Sequence, residues 1–363
     1  MKQAEEALRI AIEAAGKPVS AKPSPKTFRE MFAEWMRDHV ERECAPTTQE
    51  AYAQQGAYLL RRIGDRPLHE LDRNLLEDTM REIADRGGQR GRKLARKTVR
   101  HIGFVMRGCL SYAIHRRELD SHPMQGMKLP KLEKRPRPKV LENDDFERVV
   151  ERASGTRLFP LIVVAEATGL RRGELLAATW RDLDFRTGLL MVNKSLEQTK
   201  KYGLQIKSTK SGEPREIPLP DYALQVLEDW KAEQDHDRSL YGADYRDHGL
   251  IFCRPDGEYY SPSQVSARVV ELMRKTGIRR TLHSLRHTHA SGMLSSKRVP
   301  IATVSERLGH ANSAVTLAIY THALKSDKQV AAEVWNEARS GVVLSNVINK
   351  RRKKLQVIEK KTA

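Results

Sequence analysis

The fold of this chain is decided by a stretch in its C-terminal third, Thr281-Leu282-His283-Ser284-Leu285-Arg286-His287-Thr288-His289. One further segment lies upstream and two lie downstream: Ala167-Thr168-Gly169-Leu170-Arg171-Arg172-Gly173-Glu174-Leu175, Leu308-Gly309-His310 and Ala318-Ile319-Tyr320-Thr321-His322. The planar fork of arginine fits phosphate oxygens in bidentate fashion. Histidine can carry protons, and tyrosine can act as a nucleophile. These are the groups that a protein would need to break a phosphodiester without a metal.

The order Arg, Lys, His-x-x-Arg, His, Tyr resembles that of the tyrosine recombinases, or phage-type integrases. The matching pieces are T-G-L-R-R-G-E-L, H-S-L-R-H-T, L-G-H and Y-T-H. Each piece alone is a weak signal, whereas all of them in this order form a specific pattern. The resemblance covers residues 140–340 by motif and residues 26–125 by general character.

Composition independently indicates an anionic partner. The 363 residues carry a formal net charge of +18, which is an argument for a polyanion rather than for a fold. With 39% hydrophobic residues, a packed core is expected. The three cysteines form no C-x-x-C, so neither a disulfide framework nor a zinc finger is predicted. No apolar run is long enough for a membrane span and no signal peptide is visible, so we expect a cytoplasmic protein that binds nucleic acid.

Several helices are predicted in residues 26–125. Thr27 with Glu30, and Thr47 with Glu50, have the spacing of capping boxes, and Asp72 can cap a third helix. A fourth helix is expected from about residue 98 to residue 115. Four short helices with tight links form a small bundle, which resembles the core-binding domain of the family.

Two segments flank this bundle. Residues 1–25 predict an N-terminal helix and linker, either an ordinary helix or a remnant of an arm-binding domain. Residues 126–139 are basic and contain three prolines, which exclude a long helix and predict an interdomain linker.

Basic residues concentrate in the loop before the fourth helix and in the linker. Such segments release counterions from DNA, which makes binding salt-dependent. A solvated charged loop is the alternative interpretation. The predicted DNA contacts are Arg86, Arg90, Arg92, Lys93, Arg96, Lys97, Arg100, Lys131, Lys134, Arg135 and Arg137.

The half from residue 140 to residue 340 predicts helices around short strands, followed by a basic tail over residues 341–363. Strands are expected at about 180–185, 189–194, 203–207, 215–219 and 250–253. The expected fold class is therefore mainly α with a small antiparallel β-sheet (α+β). The resemblance implies a helical core-binding domain and a catalytic domain that form a clamp around DNA.

The resemblance also implies the roles of individual residues. Arg171 and Arg286 would bind the scissile phosphate, and Tyr320 would be the nucleophile that forms a 3′-phosphotyrosine. His283 would carry a proton near the phosphate and His310 would donate a hydrogen bond to it.

A general acid must protonate the leaving 5′-oxygen. The family uses a lysine shortly before an R-x-I-P-L strand, so Lys210 is the match, with Lys207 as the alternative. Glu174 is expected to orient the site without taking part in the chemistry, and His287 is expected to have a structural role. No cofactor is predicted. His283 and His287 have the spacing of a zinc site, but Arg286 between them would repel a cation, so no metal is predicted.

The resemblance implies a site-specific recombinase of a phage or mobile element, acting as a homo-tetramer on paired sites in double-stranded DNA. An accessory directionality or DNA-bending factor is a further expected partner. Val330, Ala331, Val334 and Trp335 form an apolar stripe after Tyr320 that packs either in cis or on a neighbouring protomer. Two alternatives stay open, a type IB topoisomerase and a non-catalytic DNA-binding regulator.

Overall fold

A computed structural model describes residues 25–132, 140–209, 213–310 and 312–320 of the chain. Contacts within the chain divide it into two compact units. The first comprises Met1–Pro136 and Leu196–Lys207, and the second comprises Arg137–Ser195 and Ser208–Ala363. No helix in the described ranges is long and apolar enough to cross a membrane.

The first unit is built from helices around one core. Its helices are α1 (Phe28–Trp35), α2 (Pro46–Ile63), α3 (Arg73–Arg86) and α4 (Arg96–His115). A π-helical segment, Met36–Val40, continues α1, and short 3-10 turns occupy Leu68–Glu70 and Gln89–Gly91. The apolar faces predicted from the sequence meet here, with Phe28, Met31 and Leu110 fully buried.

Local capping explains where these helices begin. The Thr27 hydroxyl accepts a hydrogen bond from the Glu30 amide, and the Glu30 carboxylate accepts one from the Thr27 amide. The Asp72 carboxylate accepts a bond from the Leu75 amide. Both predicted caps are confirmed. The prediction at Thr47 is wrong, because α2 begins one residue earlier with Pro46, whose fixed φ suits the first helical position.

The second unit surrounds a small sheet with helices. Its helices are α5 (Asn143–Ala153), α6 (Phe159–Thr168), α7 (Arg172–Ala177), α8 (Asp221–Tyr241), α9 (Pro262–Lys275), α10 (Leu282–Ser295), α11 (Ile301–Leu308) and α12 (Ser313–Tyr320). The apolar helix α6 is central, since α8 and α10 both pack against it. Eight of its ten residues are buried.

Two small sheets replace the single expected sheet. Strands β1 (Leu183–Asp184), β2 (Leu189–Val192) and β5 (Arg215–Pro218) form an antiparallel sheet in the order β1-β2-β5. Strands β3 (Lys194–Thr199) and β4 (Gly203–Ser208) form a two-stranded hairpin.

One strand prediction is partly right and one is wrong. Of the strand expected at 180–185, residues 183–184 form β1 and residues 180–182 form a 3-10 turn, whereas residues 250–253 contribute only isolated bridges. The fold class, mainly α with small antiparallel sheets, is confirmed.

Several predictions fall on residues outside the described ranges. They are the N-terminal helix of residues 1–25, most of the linker at residues 133–139, the apolar stripe from Val330 to Trp335 and the tail of residues 341–363.

Gly169 ends α6 with a left-handed backbone, at φ 65°. A Cβ built there would lie 2.8 Å from His289 Cδ2 and 3.0 Å from Leu308 Cδ2. We expect Gly169→Ala to destabilise the second unit by about 1–2 kcal/mol for the backbone and about 1–3 kcal/mol more for overlap with its neighbours. Denaturant unfolding measures the loss.

The matched control is Gly155→Ala. Gly155 is also left-handed, at φ 73°, but nothing lies within 4 Å of an added Cβ. Its substitution should show only the backbone part of the cost, and equal losses for the two variants would contradict the packing argument.

Candidate active site

The end of helix α11 binds three arginines through three consecutive carbonyl groups. The Arg307 carbonyl accepts from Arg215 Nε at 3.0 Å, and the Leu308 carbonyl accepts from Arg286 Nη2 at 2.6 Å. The Gly309 carbonyl accepts from Arg171 Nη2 at 2.7 Å. The last carbonyls of a helix have no partner within the helix and lie at the negative end of its dipole, so they attract cations.

The two arginines predicted from the motifs are brought together in this way. Arg286 is 2% exposed, and its Nη1 donates to the carbonyl of Gly169 at 2.6 Å. Arg171 occupies the position before α7, and its side chain stays 32% exposed. Arg286 is therefore the buried cation of this pair, whereas the side chain of Arg171 is partly exposed to solvent.

Glu174 lies behind the arginines and is 2% exposed. Its carboxylate accepts from the Arg171 amide at 3.0 Å, from Arg171 Nη1 at 2.7 Å and from Arg215 Nη2 at 2.7 Å. Burial raises the pKa of Glu174, but the hydrogen bond and charge of Arg215, and then Arg171, outweigh it and hold the pKa below its ordinary value. Glu174 is thus a buried anion that orients two cations.

Arg215 was not predicted as a site residue. The R-x-I-P-L strand served only as a landmark for the lysine, although its arginine is 9% exposed and bonds both Glu174 and α11. An anion as buried as Glu174 requires charged partners, but that burial is visible only in the structure, so the sequence does not single out Arg215.

His310 follows the three carbonyls, and its Nδ1 lies 2.7 Å from the buried Thr316 hydroxyl. Burial, and then the charges of Arg286, Arg171 and Arg215, lower the pKa of His310 to about 4. His310 is therefore neutral at pH 7.

His283 lies at the exposed edge of the cluster, and its ring centroid is 4.6 Å from that of His287. Partial burial, and then the charges of Arg286 and Arg171, lower the pKa of His283 as well. Within the described ranges no group of three or more metal-ligating side chains is found.

The nucleophile and the general acid are described only in part. Tyr320 is the last residue of α12, and its side chain lies outside the described part of the structure. The whole of Lys210 lies outside it. The alternative acid, Lys207, lies on β4 in the first unit, where its Nζ is 3.1 Å from the Glu197 carboxylate.

A groove of about 880 Å³ opens beside the cluster, with Arg215, Gly309 and His310 in its lining. The lining also includes Asn312 and Ser313, the segment that leads into α12 and so to Tyr320. Arg215 brings a cation and His310 a neutral imidazole to this groove, whose lining also contains the carboxylates of Glu213, Glu216 and Glu306.

The predicted DNA contacts in the first unit lie on its surface. Arg86, Arg90, Arg92, Lys93, Arg96, Lys97 and Lys131 are exposed. Arg100 is partly buried, with its guanidinium 5.3 Å from the ring of Phe104. Lys93 pairs with Asp85 at 3.4 Å. The other three, Lys134, Arg135 and Arg137, lie outside the described ranges.

Residues 139–327 match the phage integrase family, which is more than half of the chain. The chain belongs to this family of tyrosine recombinases. It is 28% identical over 260 residues to a XerC-like tyrosine recombinase of Caldanaerobacter subterraneus subsp. tengcongensis, a match covering 66% of each chain. It is 29% identical to the tyrosine recombinase XerC of Xanthomonas axonopodis pv. citri, covering 68% of this chain and 73% of that one.

Solved structures of integrases have the same fold. The Tn1549 transposon integrase bound to transposon right end DNA superposes with a TM-score of 0.71 at 19% identity, covering 86% of this chain and all of that one. The λ integrase tetramer bound to a Holliday junction gives a TM-score of 0.60 at 20% identity, covering 85% and 87% of the two chains.

The pKa of His310 has a consequence for stability. Because its folded pKa of about 4 lies below the ordinary 6.5, the unfolded chain takes up more protons between these values. We expect the contribution of His310 to stability to be complete above pH 6.5 and to decrease as pH falls toward 4. Melting temperatures measured between pH 7 and pH 5 follow this loss of stability. In the control His310→Asn, the part of the pH dependence that His310 contributes should be absent. An imidazole titration midpoint near 6.5 by NMR would contradict the prediction.

Proposed function

We propose that the chain cuts and rejoins DNA at specific sites of a phage or mobile element through a covalent bond to Tyr320. Site-specific recombination is the activity of the family to which the chain belongs. The observation that carries the proposal for this chain is the convergence of Arg171, Arg215 and Arg286 on one helix end beside neutral histidines.

The arginines would act on the scissile phosphate. In the transition state this group is pentacoordinate and carries more negative charge than in the ground state. Preorganised cations stabilise it selectively, which is the requirement for catalysis. Arg171, which keeps part of its side chain exposed, would contact the phosphate oxygens, and the buried Arg286 would act on them from a region of low dielectric.

The covalent step would conserve the bond energy of the DNA backbone. The Tyr320 oxygen attacks phosphorus and forms a 3′-phosphotyrosine, while the bond from phosphorus to the 5′-oxygen breaks and that oxygen takes up a proton. We assign this proton to Lys210, with Lys207 as the alternative. We assign acceptance of the phenol proton to His283. Reversal by a second 5′-hydroxyl rejoins the strand without ATP.

Double-stranded DNA would be held by the basic surface of the first unit as well. Residues 86–117 contain ten arginines and lysines and no acidic residue. The structural neighbours support the proposal, since they are integrases bound to DNA, one of them a tetramer on a Holliday junction. We propose the same for this chain: a homo-tetramer on paired sites, in the bacterial cytoplasm, with an accessory bending or directionality factor.

A covalent-trap assay tests the reaction. DNA sites selected from a random pool are made into nicked suicide substrates, from which the cleaved fragment escapes. The wild-type chain should form a denaturant-resistant adduct and Tyr320→Phe should form none, because phenylalanine has no nucleophilic oxygen. Tyr241→Phe, at an exposed tyrosine of the second unit, is the matched control and should react normally.

The outcomes separate the candidate functions. Tight binding without any wild-type adduct would indicate a DNA-binding regulator. Adducts with relaxation of supercoiled DNA of any sequence would indicate a topoisomerase.

The basic surface gives a second prediction. Replacing Arg90, Arg92 and Lys97 by glutamine should weaken DNA binding and flatten the slope of log K against log salt by up to about 2.7, because each phosphate contact contributes about 0.9. Neutralising Arg37, Arg66 and Arg81 is the control, since each of these exposed cations already pairs with an acid. Equal slopes for the two triple variants would show that DNA does not bind to the surface that carries Arg90, Arg92 and Lys97.

A further inference from the structure

The partly buried side chain of Arg307 does not line the groove but bonds to three neighbouring elements of the unit. Its Nε donates to His289 Nε2 at 3.1 Å on α10. Its Nη2 donates to the carbonyl of Ala167 on α6 at 3.1 Å and to the carbonyl of Pro218 on β5 at 3.0 Å. One guanidinium thus joins α11 to three other elements. No motif singled this residue out.

Among the described residues no acid matches the charge of Arg307. In the described ranges its hydrogen bonds go to carbonyls and an imidazole, and no carboxylate lies within ion-pair distance. Burial lowers the pKa of Arg307. A buried cation contributes little net stability, because desolvation offsets its attractive contacts. Its main structural effect is therefore geometric, since a planar fork with several acceptors allows only one placement of the helix end.

His289 is adapted to this contact. Its Nε2 accepts from Arg307, so the ring must be neutral at that nitrogen. Burial, and then the charge of Arg307, lower the pKa of His289 to about 4. The ring also packs against Gly169, where an added Cβ would meet its Cδ2 at 2.8 Å. An imidazole that stays neutral provides the acceptor throughout the physiological pH range.

The joined elements are those that hold the arginine cluster. The carbonyls of residues 307, 308 and 309 accept from Arg215, Arg286 and Arg171. Ala167 precedes by two residues the Gly169 carbonyl that also accepts from Arg286. Strand β5 begins with Arg215 and ends with Pro218. A shift of α11 would therefore move the acceptors of all three arginines together.

We propose that Arg307 is a positioning residue for DNA strand cleavage, which fixes the end of α11 so that the three arginines meet the scissile phosphate. This inference rests on the proposed function. In the described ranges the Arg307 guanidinium bonds only to α6, α10 and β5 of its own unit, so its loss should affect the chemical step and leave DNA affinity unchanged.

The test compares Arg307→Met, Arg307→Lys and Leu294→Ala with the wild type. Leu294 is buried with Leu308 in one apolar cluster, so its truncation should lower stability by about 2–5 kcal/mol without removing a polar contact. Single-turnover cleavage of the suicide substrate is measured at saturating DNA, below the melting temperature of every variant. The dissociation constant for DNA is measured separately.

Arg307→Met should keep the dissociation constant within about twofold and lose about 100-fold in the cleavage rate, the scale expected for a misplacement of about 1 Å. Arg307→Lys should be intermediate, because one ammonium cannot reach all three acceptors. Leu294→Ala should cleave within a few-fold of the wild type. A wild-type rate for Arg307→Met, or an equal loss in Leu294→Ala, would overturn the proposal.

Two variants of His289 test the contact itself. His289→Gln keeps a hydrogen-bond acceptor, so its cleavage rate should stay within about tenfold of the wild-type rate. His289→Leu removes the acceptor, so its cleavage rate should fall as far as that of Arg307→Met. Equal rates for the two would show that the acceptor is not required and would also count against the proposal.

A measurement without cleavage separates this proposal from the proposed function. If Arg307→Met lets the arginines move away from His310, the pKa of His310 should rise from about 4 toward 6.5 in NMR titrations of the DNA-free protein. An unchanged pKa would overturn the positioning role even if the wild type cleaves. A shifted pKa in a chain that forms no adduct would retain the packing role and reject the recombinase function.

Discussion

Three hydrogen bonds from arginine side chains to the last carbonyls of one helix are the interaction on which the site depends. Guanidinium groups repel one another, so three of them stay together only when acceptors and an anion offset the repulsion. The carbonyls of residues 307–309 supply the acceptors and Glu174 supplies the anion. Among the described residues, Glu174 is the carboxylate that pairs with both Arg171 and Arg215.

This dependence explains why the motifs lie so far apart in the chain. Arg171 precedes helix α7, Arg215 begins strand β5 and Arg286 lies within α10. Each was positioned by a different element, and only the end of α11 is common to them. Gly309 terminates that helix with φ 62°, which frees its carbonyl for Arg171. The spacing of the motifs along the sequence is therefore set by the packing of elements around α6 and α11.

The motifs that the chain shares with the tyrosine recombinases identified part of this arrangement. Arg171, Arg286 and His310 could be predicted because their motifs surround residues that carry distinctive chemistry. Arg215 and Arg307 could not, because an arginine that bonds carbonyls leaves no spacing pattern in the sequence. In the fold, caps with a side-chain acceptor, such as Thr27 and Asp72, were predictable.

The bounds of strand β3 and of helix α8 were harder to predict from the sequence. Strand β3, with the sequence Lys-Ser-Leu-Glu-Gln-Thr, was not predicted as a strand because it lacks a regular apolar alternation. Helix α8 continues well past the predicted residue 233 to Tyr241, since nothing before Gly242 interrupts it. Intrinsic preferences mark where a helix can begin more clearly than where it must end.

The arginines of the cluster also help to keep the neighbouring histidines neutral. His310 and His283 have lowered pKa values because burial and the nearby arginines disfavour the imidazolium. A bound phosphate reverses the electrostatic part of this effect, because its negative charge stabilises a neighbouring cation. The imidazoles consequently gain proton affinity when the anion arrives. In the DNA-free protein they add no further charge to a cluster that already holds three arginines. The neutral state of the histidines is therefore part of what stabilises the arginine cluster.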